Sequence, residues 1–133
     1  MKEREKQNID LKHSYDWIVF IGGDASWDSF EPGKGFHNIY SLTDSVEVLV
    51  NEKDTPLKMS RIFNLKRRIG QKGPRKINEV PGYILITDMT NILVEEDKAG
   101  MGHDYFLRNP HIRDALVRYQ MGIKDPPDAK IKY

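Results

Sequence analysis

The sequence predicts an α/β fold: a three-stranded, mainly parallel sheet with flanking helices. Three observations carry this. Three short runs, within residues 16 to 24, 45 to 54 and 83 to 88, each read as apolar throughout, the pattern of strands buried on both faces. Helical signals follow the second and third runs, an order of strand, loop, strand, helix, strand, loop, helix. Strands alternating with helices favour a parallel sheet with helices packed on it.

Taken in order, "DWIVFIGGD" runs apolar from Trp17 to Ile21 and stops at two glycines and Asp24. Residues 25 to 42 are a loop with room for one helical turn, carrying Trp27, Phe30 and Phe36; these aromatics either cover the core or line a pocket. "SVEVLVNEKD" is the second strand, with Asp54 just past its end. Residues 55 to 70 are expected as a helix, capped by Thr55, with Pro56 at the first position and Gly70 as the stop. Its partial apolar stripe is Leu57, Ile62, Leu65 and Ile69. Residues 71 to 82 form a loop punctuated by Gly-Pro and Pro-Gly. "YILITD" is the third strand. The helix from 109 to 122 has Asn109 as cap, Pro110 first and Gly122 as stop, with Ile112, Ala115, Leu116 and Tyr119 on one face. Three strands leave an open sheet edge, so self-association through that edge is expected.

Length and composition bound the rest. A chain of 133 residues is one domain, placed here at residues 15 to 122, with a loose polar stretch over 1 to 14 and a frayed tail over 123 to 133. At 38% hydrophobic and 31% charged it is polar but globular. The net charge of +1 makes no case for nucleic acid or a membrane as partner. With no cysteine there is no disulfide, thiol catalysis or thiolate metal site. No run reaches the roughly 20 apolar residues of a membrane helix, and residues 1 to 16 lack the core of a signal peptide. A cytoplasmic chain is expected, with no cofactor and no metal. Asp24, Asp28 and His37 supply donor atoms suited to a metal but lack ligand spacing.

In open parallel sheets, functional groups gather beyond the C-terminal ends of the strands. Asp24, Asp54 and Asp88 fall there, and His103 lies in the loop beyond the third strand. A carboxylate beside an imidazole holds one tautomer and stabilises the protonated ring, as a general base needs. With 20 acids and 4 histidines in the chain, such a pairing by position alone is within reach of chance.

The wording of three segments says more. "NEKDTPLKMSR" resembles the x-x-x-D-x-A-L-x-x-S-R segment, and "GHDYF" the G-H-S-Y-F segment, of an esterase/lipase-like subgroup of uncharacterised bacterial alpha/beta hydrolases. "GGDASWDSF" is similar to that subgroup's strand, aspartate and D-x-F stretch. The resemblance covers residues 16 to 121, the C-terminal portion of that fold. It implies that Asp54 is the acid and His103 the base of a Ser-Asp-His triad. Asp104 stands where the subgroup more often has Ser, and Gly22-Gly23 where Ala-Pro is more typical.

The nucleophile does not follow. The fold carries it in a Gly-x-Ser-x-Gly elbow between strand and helix. None of the six serines, Ser14, Ser26, Ser29, Ser41, Ser45 and Ser60, has that setting, and the oxyanion segment is absent too. Losing the nucleophile costs about 10⁶ in turnover, so the lone chain is expected to be inactive as an ester hydrolase. A second chain supplying the serine half is the implied partner. The alternative is a non-enzymatic binding module using the basic segment 58 to 76. Eight basic residues and no acid lie between Thr55 and Asn78.

Overall fold

The computed structural model describes residues 14–91, 101–121 and 130–131. Strands β1 (Ile18–Phe20), β2 (Val46–Val50) and β3 (Ile84–Asp88) run parallel and lie side by side in chain order. Val46 is opposite Ile18 on one side and Ile84 on the other. The α/β class with a three-stranded parallel sheet and flanking helices is therefore present. One strand is added: β4 (Lys130–Ile131) pairs antiparallel with the end of β3, Thr87 opposite Ile131. Two residues carry no periodicity by which a strand could be read. The rest of the tail expected to fray lies outside the described residues, as does all but Ser14 of the expected loose stretch over 1 to 14. No strand among the described residues pairs with the outer side of β1.

Alternation along the strands divides the core into two clusters. Val46, Val48, Val50, Ile84 and Ile86 face Phe30, Ile39 and Ile69. Phe20, Phe30 and Phe36 pack ring on ring, with centroids 4.9 to 6.0 Å apart. The long connection from β1 to β2 thus covers the sheet with aromatics where a helix would usually lie. On the opposite face Leu49 and Met89 meet Tyr105 and Ile112, from helices α3 (Tyr105–Arg108) and α4 (Pro110–Gln120). Asn109 caps α4, its Oδ1 accepting from the Ile112 N–H at 3.3 Å. The side chains of Ala115 and Tyr119 lie outside the described residues.

The expected helix over 55 to 70 is two helices. Helix α1 (Thr55–Asn64) ends at Leu65, which takes left-handed backbone at φ 54°. Helix α2 (Ile69–Lys72) follows after an extended stretch. The break has a cause in hydrogen bonding. Trp27 N–H donates to Arg67 O at 3.0 Å, Ile69 N–H to Ala25 O at 2.9 Å and Gly70 N–H to Gly23 O at 2.9 Å. These bonds form a short antiparallel ribbon, which needs extended chain where the helix would have continued. Gly70 is therefore part of α2 and not a helix stop. The expected stripe splits as well: Leu57 and Ile69 are buried, whereas Ile62 is 63% and Leu65 91% exposed.

β2 is not apolar throughout. Glu47, its second residue, is buried, and its Oε1 accepts from the Thr87 hydroxyl at 2.7 Å. Burial raises its pKa above the ordinary 4.5, with the Thr87 hydrogen bond opposing. An acid whose pKa is raised on folding binds more protons folded than unfolded. Stability therefore falls as pH rises from 4.5 through the folded-state pKa. Glu47→Gln keeps the shape and removes this penalty. Urea unfolding should show the variant more stable than wild type at pH 7, with the difference vanishing below about pH 4.

Candidate functional site

The site forms where the β2 exit, the start of α1 and the loop before α3 meet. Asp54 is fully buried and has no free oxygen to spare. Its Oδ1 accepts from the Leu57 N–H at 2.9 Å, so Asp54 itself, not Thr55, caps α1. A carboxylate there also meets the positive end of the helix dipole. Its Oδ2 lies 2.7 Å from His103 Nδ1, a charge-assisted length. A carboxylate oxygen accepts, so Nδ1 carries the donated proton, and in the neutral ring this leaves the lone pair on Nε2. The His103 side chain is 40% exposed, open to a reactant on the side away from Asp54.

Two glycines set the imidazole position. Gly22, just past β1, has φ +55°, and a side-chain carbon there would sit 2.9 Å from His103 Cε1. The ring rests against bare backbone. Gly102 has φ +74°, and a side-chain carbon would lie 3.1 Å from Lys53 O. Met101 before it is also left-handed, at φ 55°. Two successive residues in this region form a tight turn that presents His103, at a backbone cost for Met101 on the order of 1 kcal/mol.

That turn is tied down from the other side. Buried Asn51 donates from Nδ2 to Gly102 O at 2.6 Å and accepts from the Lys53 N–H at 3.0 Å. Thr55 N–H donates to Met101 O at 2.9 Å. Beneath the pair, Tyr105 is fully buried. Burial first, and then the nearby Asp54 charge, push its phenol well above the ordinary 10.0, so it stays neutral. Asn51, Gly22, Gly102 and Tyr105 are absent from the sequence-derived site. The available signal was weak: an Asn at a strand exit, and glycines before and after apolar runs.

The other rim acids are held elsewhere. Asp24 accepts from the Ser60 hydroxyl at 2.6 Å and pairs with Arg68 Nε at 3.0 Å. Arg68 Nε also donates to Ser60 Oγ at 3.1 Å, so Ser60 is engaged in this network. Asp88 Oδ1 accepts from the Thr90 N–H. Asp28 pairs with Lys34 and Lys66 and accepts from Ser26. The Ser26 hydrogen bond foremost, with help from both lysines, lowers its pKa to about 2. His37 contacts Phe30 O. Asp24, Asp28 and His37 thus serve separate partners, and no metal-binding group of three or more acids and histidines occurs among the described residues. His103 has no serine partner there.

Trp27 stacks under Arg67 at 5.0 Å and also lines a cleft of about 370 Å³ with Tyr40, Arg75 and Tyr83. That cleft includes neither Asp54 nor His103. No helix among the described residues is long and apolar enough to cross a membrane. No family model, curated protein or solved structure matches the chain.

Two substitutions probe the geometry. Asp54→Asn keeps the α1 cap, since Asn caps as well as Asp, but its amide no longer demands a proton on Nδ1. Imidazole ¹⁵N spectra should show the Nδ1–H tautomer dominant in wild type and lost in the variant, with the helix content unchanged. Asn51→Ala strips buried partners from Gly102 O and Lys53 N–H, which costs about 1–3 kcal/mol. Denaturation should report that loss, and His103 resonances should broaden as the turn loosens.

Proposed function

We propose that this chain is the acid-and-histidine portion of an alpha/beta hydrolase acting on esters or related acyl compounds. The observation that carries this is the Asp54–His103 pair: a buried carboxylate 2.7 Å from Nδ1 of a half-exposed imidazole. Its setting beyond the C-terminal ends of parallel strands supports the same reading, and so do the segments "NEKDTPLKMSR" and "GHDYF". In this reading Nε2 takes the proton of a serine hydroxyl as it attacks the acyl carbon, then returns it to the leaving group. Asp54 holds the tautomer and stabilises the imidazolium. The serine and the oxyanion donors come from a second chain, which joins at the outer side of β1, where a further parallel strand would continue the sheet.

Reconstitution tests this. The chain alone should hydrolyse p-nitrophenyl butyrate no faster than free imidazole. Co-purified with a chain bearing Gly-x-Ser-x-Gly and encoded beside it, it should turn the ester over. Within that complex, Asp54→Asn should lower kcat by about 10⁴ and His103→Gln by about 10⁶. Activity indifferent to His103→Gln would refute the assignment.

A further inference from the structure

Helix α1 is built the wrong way round for a helix that ends its contacts at the protein's own core. Leu57 is its one buried apolar residue. Met59, Ile62 and Phe63, at the i, i+3, i+4 spacing of a single face, point outward at 48%, 63% and 79% exposure. Leu65 extends this face from the helix end at 91% exposure. It does so in left-handed backbone, φ 54°, where glycine would fit without strain. A large apolar side chain kept in water on a strained residue is the opposite of what folding alone favours.

The sequence around this face is basic, although Asp24 reaches Ser60 at the centre of α1, Lys66 pairs with Asp28 and Arg67 stacks on Trp27. Lys58, Arg61, Lys66 and Arg67 flank it, all exposed, and no acid occurs from Thr55 to Asn78. Lys58 and Arg61 have no ion pair among the described residues. The face is an exposed helix side and end, and none of its residues lines the cleft at Trp27 and Tyr40.

We propose that α1 and Leu65 form an interfacial docking surface for an anionic lipid bilayer. Phe63, Ile62, Met59 and Leu65 enter the boundary between headgroups and acyl chains, and the cations meet the lipid phosphates. An apolar face with a basic rim is the composition such helices share. An exposed helix side of Met, Ile and Phe with Leu at its end suits a fluid surface better than a shaped protein pocket. This inference does not depend on the hydrolase reading.

The test is sedimentation of the full chain with vesicles. Wild type should bind phosphatidylglycerol/phosphatidylcholine vesicles at least about tenfold better than pure phosphatidylcholine, with binding falling as salt rises. Phe63→Ser combined with Leu65→Gly should abolish binding while the circular dichroism spectrum persists, because both positions are exposed and Gly accepts the Leu65 backbone. Lys58→Gln and Arg61→Gln should each weaken binding about fivefold. Failure of wild type to bind anionic vesicles, or equal binding by the Phe63/Leu65 variant, overturns the proposal. So does a wild-type dimer that the same variant converts to monomer without any vesicle binding, since the face would then belong to a protein contact.

Discussion

The structure turns on the Asp54 carboxylate. Burying a carboxylate costs several kcal/mol unless its oxygens are satisfied, and here each oxygen is used by a different part of the chain. Oδ1 closes the first turn of α1, and Oδ2 anchors the loop that carries His103. The residue itself sits at the exit of the central strand β2. One side chain therefore joins a strand, a helix start and a distant loop. The arrangement that would orient a catalytic histidine is the same one that lets α1 begin where it does. Fold and chemistry cannot be separated at this position.

Much of this was legible in the sequence because it rests on local pattern. The apolar runs ended by Gly-Gly, by Asn and by Asp mark the parallel strands, and Asn109-Pro110 marks the start of α4. Asp54 and His103 were legible as a pair through the segments around them, and the structure places them in hydrogen-bond contact. What was not legible depends on long-range backbone bonds. Nothing in "FNLKRRIG" announces that residues 67–70 pair with 23–27 and so end α1 at Leu65. The Asn51–Gly102 bond spans 51 residues, and no local signal marks either partner. Glu47 hides inside an apolar run because the pattern cannot show that Thr87, 40 residues on, faces it.

Charge shows the same limit in another form. A net charge of +1 describes a chain with nearly balanced acids and bases, yet the balance is not local. The basic run from Lys58 to Lys76 carries its own field over roughly a Debye length, about 8 Å at physiological ionic strength. Part of that run is internal to the fold: Arg68 holds Asp24 and Ser60, and Arg75 pairs with Glu31. Lys66, Lys72 and Lys76 pair with Asp28, Glu52 and Glu79, while Lys58 and Arg61 lie on α1 beside its exposed apolar face. The segment is therefore both structural and available for contact, and the division follows which side of the chain turns toward the β1 exit.

The β1 exit links these two regions mechanically. Gly22 backs the His103 ring, and the next residues, Gly23 to Trp27, form the ribbon that fixes 67–70. Asp24 reaches Ser60 in the middle of α1. Helix α1 is thus held at its start by Asp54, at its centre by Asp24 and beyond its end by the ribbon. A contact made on its outer face meets a body tied at three points to the strand exits that present the imidazole. Helix α1 and the histidine loop thus share the same anchors at the β1 and β2 exits.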